Sequence, residues 1–223
     1  MGLSHSPSIV TNGLVGYWDA GNTRSYPGSG TTWTDLSGNQ LNMTTVNSPT
    51  FSSGSFAFNG STQYASATNS TLLDNQTFTV SVWVKTNATT QNGFWFEKGT
   101  VNAQYALFQE GTQIKCRINN GSGVIDTIAP VTASFMNTTS WFNVVFTFVT
   151  GSQVCYINSS VAGTGTTTAT IPVNSGGMWI GVYGGTGGYY FNGNIAQVKI
   201  YNRALSAAEV RQNYNALRGR FGL

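Results

Sequence analysis

The chain has 223 residues, of which 40% are hydrophobic, 13% aromatic and only 8% charged, against roughly 25% charged in ordinary soluble domains. That length suits one sizeable all-β domain, and the scarcity of charge leaves Thr, Ser, Asn and Gly to make the surface, residues that favour strands and turns over helices. The net charge of +3 rests on 10 basic and 7 acidic residues. The basic residues gather only at Arg211, Arg218 and Arg220, not in the stripe that a nucleic-acid footprint requires, and no run approaches the roughly 18 apolar residues of a membrane helix.

Residues 1–12 read as an arm, polar and without periodicity. The stretch has no apolar core of the kind a secretory signal carries, so the expectation is synthesis in a cytoplasm. Gly13–Asp19 is short, apolar and aromatic, the first strand. Ala20–Gly30 is rich in turn residues, and Ser55–Gly60 is a strand entering a turn. Thr77–Lys85 alternates cleanly, with Phe78, Val80, Val82 and Val84 on one side and Thr79, Ser81, Trp83 and Lys85 on the other. That period of two is the signature of a strand. Phe94–Lys98 and Tyr105–Gln109 read as a hairpin around residues 99–102. Trp141–Thr150 repeats the alternation, and Gln153–Ile157 and Met178–Tyr183 are further strands. Turn signals recur about every ten residues, the rhythm of an antiparallel sandwich or jelly roll.

In Asn194–Tyr201, Ala196, Val198 and Ile200 share one face and Gln197 and Lys199 the other, which predicts a half-buried strand. Ser206 and Glu209 stand at the spacing of a capping box, flanked by Leu205 and Val210 as a hydrophobic staple. A helix is predicted over 207–217, with a stripe of Val210, Tyr214 and Leu217 and with Gly219 ending it. The organisation is therefore an arm (1–12), one domain (13–217) and a short tail (218–223). Cys116 and Cys155 lie in strand-like runs without zinc spacing. They read first as buried thiols, with a single inter-strand disulfide as the alternative.

The closing segment, Tyr190–Val210, resembles that of laminin-G-like jelly-roll domains in the concanavalin A-like lectin/glucanase superfamily. Further segments in family order carry the same resemblance: Gly13–Trp18, Asp35–Asn39, Phe58–Ser61 with Tyr64, Phe78–Lys85, Glu97–Gly99, Trp141–Phe148 and Tyr156–Asn158. It implies a two-sheet antiparallel sandwich with one C-terminal helix. The segment from Asp19 to Trp33 is also similar to laminin-G-like proteins of tailed bacteriophages that are virion structural proteins. That likeness implies a virion-surface setting, other virion proteins and further copies of this chain as partners, and a capsid decoration or head fibre as the role. In that setting the arm is expected to dock on a neighbour. The alternative is a carbohydrate-binding module or tail-fibre adhesin that recognises host glycans.

The superfamily includes glycoside hydrolases, whose strand-borne carboxylates supply acid and nucleophile. Retaining hydrolysis needs two carboxyl groups about 5–5.5 Å apart. The seven acidic residues are Asp19, Asp35, Asp74, Glu97, Glu110, Asp126 and Glu209, and no two share a strand at short spacing. Glu97 and Glu110 are offset in the predicted hairpin. The one histidine, His5, lies in the arm, so no enzyme is expected. Calcium takes six to eight oxygens. Members of the family often hold one ion, and Asp35, Ser37 and Asn39 are the candidate ligands; the competing reading of Asp35 is a turn former. Ala196 and Gln197 stand where relatives carry acids, which weakens a calcium site. Sugar stacking needs exposed aromatics with amide partners. The candidates are Trp33, Trp95, Tyr183, Tyr189, Tyr190 and Asn192, with Asn92 beside them and the Gly-rich loop 184–188 able to close on a ligand. The competing reading makes these aromatics caps of the sandwich or an interface.

Overall fold

The computed structural model describes residues 7–99, 104–129, 139–168, 170–184 and 187–223. The strands run in chain order as β1 (Leu14–Asp19), β2 (Thr32–Trp33), β3 (Met43–Val46), β4 (Thr50–Ser52), β5 (Ser55–Asn59), β6 (Tyr64–Ala67), β7 (Phe78–Thr86) and β8 (Gln91–Lys98). They continue as β9 (Tyr105–Gly111), β10 (Gln113–Asn119), β11 (Val124–Ala129), β12 (Phe142–Val149), β13 (Ser152–Ile157), β14 (Ser160–Gly165), β15 (Met178–Ile180) and β16 (Asn192–Tyr201), followed by the helix α1 (Ala207–Leu217). Two eight-stranded sheets result. The back sheet has the order β14-β13-β12-β7-β16-β5-β4, with β1 also paired to β16; the front sheet has the order β11-β10-β9-β8-β15-β6-β3-β2. The pairings are antiparallel, as the sandwich expectation requires.

The core lies between the sheets. Phe78, Val80, Val82 and Val84 of β7 and Phe142, Val144, Phe146 and Phe148 of β12 meet Trp95, Phe96, Tyr105, Leu107, Ile114 and Ile118 from the front sheet. Each such side chain contributes about 1.5–3 kcal/mol by leaving water. Cys116 and Cys155 are buried in this core as free thiols.

In β16 the alternation slips. The register shifts between Ile195 and Gln197, and Ile195, not Ala196, joins Val198 and Ile200 in the core. One extra residue in a bulge is enough to move a side chain out of the pattern. Gln197 and Lys199 do point away from the core, but they are 1% and 0% exposed. The strand is buried on both faces because the C-terminal segment covers its back.

That covering is made by α1 and the turn after it. Ser206 Oγ accepts from Glu209 N at 3.3 Å and Glu209 Oε2 accepts from Ser206 N at 2.9 Å, completing the capping box. Arg203 grips the same carboxylate at 3.0 and 2.6 Å, and these bonds hold Glu209 down to about 2. Leu205 and Val210 are buried with Val10, Val145, Tyr156 and Tyr201. The helix passes straight into a 3-10 turn, Arg218–Phe221, and Gly222, in the left-handed region at φ +75°, ends it in place of Gly219. This tail lies on the sheet: Phe221 stacks on Trp83 at 4.0 Å, and Arg220 pairs with Asp19 at 2.6 Å.

The described part of the arm is held by its own chain. Val10 N donates to Asn213 Oδ1 at 2.8 Å, Tyr201 Oη donates to Val10 O at 3.0 Å, and Gln212 Nε2 donates to Ser8 O at 2.8 Å. Residues 8–12 are therefore not a free tether for a neighbour. The rest of the expected docking arm, residues 1–6, lies outside the described residues.

Candidate functional site

The outer face of the front sheet carries one continuous rung. Thr32, Thr44, Ser66, Trp179, Glu97, Ala106, Arg117 and Asp126 stand directly opposite one another, strand by strand, from β2 to β11. Because side chains on a strand alternate between faces, one register places all of them on the same surface.

At the β8–β9–β10 end of the rung lies a cleft of about 390 Å³. Its floor is Phe94 and Phe108, opposite in register and stacked at 4.4 Å with 3° between their planes. The Arg117 guanidinium sits 4.5 Å over the Phe108 ring and is fixed by a two-pronged bond to Asp126, 2.7 and 2.9 Å. Such a fork fixes the plane of the group as well as its place. Tyr183 and Tyr189 form the wall. Tyr189 is 56% exposed and held at φ +53°, a conformation that costs an ordinary residue about 1 kcal/mol or more and recurs at ligand clamps. Asn92 and Glu110 supply the polar rim; the Gln109 side chain is fully buried on the opposite side of β9, where it donates to the Ala88, Thr89 and Gly111 carbonyls.

Glu97 supports this wall from beneath. It is fully buried, and its Oε2 accepts from Gly184 N at 2.7 Å. Its Oε1 has no hydrogen-bond partner among the described residues. Burial pushes its carboxyl up to about 8, opposed by the Gly184 bond and by Arg117, so at neutral pH it is an uncharged strut. The Trp179 indole lies against Gly184 so closely that a Cβ there has no room.

Of the residues singled out from the sequence, Tyr183 and Tyr189 come together in the cleft with Asn92. Tyr190 lies on the other side of the same loop, beside Tyr64 and Trp179. Trp33 and Trp95 are fully buried between the sheets, against Phe56 at 4.9 Å and Phe142 at 5.8 Å. They are core residues and present no face for stacking. Asn192 is bonded into the strand edge: its backbone N donates to Gln91 Oε1 and its backbone O accepts from Asn87 N. Gly185 and Thr186 of the Gly-rich loop lie outside the described residues. Asp35, Ser37 and Asn39 do share one loop, but the Asp35 carboxylate accepts four hydrogen bonds, from Tyr17 N, Ser37 N, Ser37 Oγ and Leu41 N. Asn39 Nδ2 donates to Val15 O. Those bonds fit an Asx-type knot that ties the loop to β1; lone pairs taken by donors are not offered to a cation. Among the described residues, no three His, Cys, Asp or Glu side chains group as metal ligands.

Phe94, Phe108, Arg117 and Trp179 were not singled out from the sequence. The strands of Phe94, Phe108 and Trp179 were. The bulge between Phe94 and Phe96 turns Trp95 and Phe96 both into the core, and a strict alternation does not foresee which aromatic remains outside.

A family model described as the concanavalin A-like lectin/glucanases superfamily matches residues 59–211, more than half of the chain. The chain belongs to this superfamily. Among solved structures it is similar to the binding domain of Paraclostridial Mosquitocidal Protein 1, with a TM-score of 0.74, 18% identity, and 92% of this chain and 52% of that one covered. It is also similar to botulinum neurotoxin type C, whose cell entry depends on interaction with two ganglioside molecules, at TM-score 0.74 and 14% identity over 93% and 52% of the two chains. A third is Trypanosoma rangeli sialidase in complex with sialic acid, at TM-score 0.72 and 16% identity over 97% and 36%. At these identities the likeness shows the fold, a lectin-like sandwich. The chain spans about half the length of the toxin structures and about a third of the sialidase. A search of curated proteins found no match.

Proposed function

We propose that this chain is a non-enzymatic carbohydrate-binding module whose ligand, a glycan of a host surface, enters the Phe94–Phe108–Tyr189 cleft. The observation that carries the reading is the union of the exposed Tyr189 ring, backed by the stacked Phe94 and Phe108, with a preset Arg117–Asp126 fork and the polar Asn92 and Glu110 in one open cleft. Apolar walls with a few well-placed polar groups are what ligand sites are made of. The carboxylates near the cleft are otherwise engaged: Asp126 with Arg117 and Lys115, and Glu110 with the same Lys115, so the two that come near each other share one ammonium. Glu97 stands opposite Ala106, four residues along β9 from Glu110, a backbone separation of about 14 Å at standard strand spacing. It stands three strands from Asp126 on the rung. Neither spacing suits the paired carboxyls of glycoside hydrolysis. A printed glycan array tests the reading. Binding to a saccharide that falls about tenfold in Tyr189→Ala and in Arg117→Ala, without turnover of that saccharide, supports it; an array with no bound glycan overturns it.

A second reading gives the module its setting. The likeness of Asp19–Trp33 to phage virion proteins and the charge-poor surface favour a structural protein of a bacteriophage virion, a capsid decoration or head fibre, in contact with other virion proteins and further copies of itself. Electron microscopy of the particle with this fold fitted to surface density tests it. Particles whose surface lacks this density count against it.

A further inference from the structure

We infer that the saccharide is an extended chain, held at a second subsite built around Trp179, with the cleft and that subsite on one diagonal across the front sheet. The inference rests on the reading that the cleft takes a saccharide and goes beyond it in assigning a second site and a minimum ligand length.

Trp179 is half-buried on the same rung as Arg117. On one side its indole borders a depression of about 400 Å³ lined by Asn42, Thr44, Ser66 and Thr68. This is one aromatic face set against hydroxyl and amide groups, with Asn42 and Thr44 exposed. On the other side the same ring lines a smaller hollow with Tyr64 and Tyr190. The loop that supplies Tyr190 to this hollow supplies Tyr183 and Tyr189 to the cleft. Aromatic rings with exposed surface thus recur across the sheet from Tyr189 to Trp179, with polar side chains beside each.

The loop between the two sites is fixed to both. Gly184 is held by Glu97 from below and covered by Trp179, so this one residue belongs both to the wall of the cleft and to the edge of the Trp179 hollow. The cleft centres on β9 and the Trp179 depression on β6, three strand spacings apart by way of β8 and β15. At about 4.8 Å per spacing that is roughly 14 Å across the strands, and because the cleft lies on the Phe94–Phe108 side of the rung and the depression on the Thr68–Gly177 side, an offset of roughly 10 Å along them makes the separation about 17 Å. A single terminal sugar reaches one site, while a linear oligosaccharide of several units reaches both, and the second contact then forms at high effective concentration.

The test is an array printed with length series, disaccharide to octasaccharide, of glucans, galactans, mannans and N-acetylglucosamine chains. Wild type should bind the long members of one series at least tenfold more tightly than its short members. Trp179→Ala should reduce the long members to the affinity of the short ones or below. Because Trp179 also supports Gly184, Thr44→Arg provides a second variant: it fills the depression from an exposed position and should reduce the long members to the affinity of the short ones while the short ones keep theirs. Tyr189→Ala should weaken all lengths alike. Equal binding of short and long members, or long-chain binding that both Trp179→Ala and Thr44→Arg leave intact, overturns the second subsite while the cleft reading stands. No binding at any length overturns both.

Discussion

Glu97 and Trp179 stand opposite each other on β8 and β15, and both act on Gly184: the Glu97 carboxyl accepts its N–H at 2.7 Å and the Trp179 ring covers the space a side chain would fill. The two residues set the height of the loop that carries Tyr183 and Tyr189. An uncharged carboxyl in this place has a consequence for stability. Glu97 keeps its proton to about pH 8 when folded and loses it near 4.5 when unfolded. Between those values the folded state binds more protons, so stability falls as pH rises. Glu97→Gln keeps an acceptor for Gly184 and removes the titration. Its stability relative to wild type should grow between pH 5 and pH 7.5, by about 1.4 kcal/mol per unit at most. Urea unfolding at the two pH values decides it, and parallel profiles would refute the buried proton.

Lys199 produces the opposite slope. It is fully buried on the back of β16, and burial, aided by Arg220 and opposed by Asp19, lowers it to about 7. Above that value the folded amine is neutral while the unfolded one stays charged up to about 10.5. The unfolded state then binds more protons, and stability rises with pH. Wild type should therefore gain on Lys199→Met between pH 7.5 and 9, by about 1.4 kcal/mol per unit at most. A constant difference between the two proteins across that range would show that the folded amine is still charged throughout.

The helix end offers a simpler check. Ser206→Ala removes an acceptor for Glu209 N and leaves the Glu209 carboxylate to Arg203. Losses of this kind cost about 1 kcal/mol. The midpoint of thermal unfolding should drop by a few degrees. If it does not move, Arg203 and the tail hold α1 without the cap.

The sandwich was legible because its strands are written in period two: Phe78–Val84 and Phe142–Phe148 face the core as their alternation says. The capping box was legible for the same reason, a local pattern with a local cause. The site was legible only in part. Tyr183 and Tyr189 sit in a loop where an aromatic has no core to fill, so exposure could be guessed. Trp33 and Trp95 look the same in sequence, yet both are buried, because the strand face they occupy is fixed by pairing partners distant in the chain. The rung from Thr32 to Asp126 joins eight strands whose registers are set by tertiary pairing, and no single segment announces it. Bulges at Phe94–Phe96 and at Ile195–Gln197 each shift an alternation by one residue, which reverses the face of every side chain beyond the bulge.

The last prediction concerns the arm and the helix that holds it. Asn213 lies on the inner side of α1, only 4% exposed, at a position where a helical stripe would call for an apolar residue. Its side chain does two things at once. Oδ1 accepts from Val10 N at 2.8 Å, and Nδ2 donates to Tyr201 Oη at 3.0 Å, which in turn donates to Val10 O at 3.0 Å. Both backbone groups of Val10 are satisfied by this ring of bonds, and the Val10 side chain closes over Leu205 and Val210. Asn213→Leu keeps the bulk and removes both bonds, so a buried N–H is left without its acceptor, at about 1–3 kcal/mol. Deleting residues 2–7 leaves the ring intact and should leave unfolding unchanged. Deleting residues 2–12 removes Val10 as well and should cost at least as much as Asn213→Leu, since the apolar burial goes too. If the longer deletion unfolds at the wild-type midpoint, the arm contributes nothing to this fold, and its residues are free to serve a partner instead.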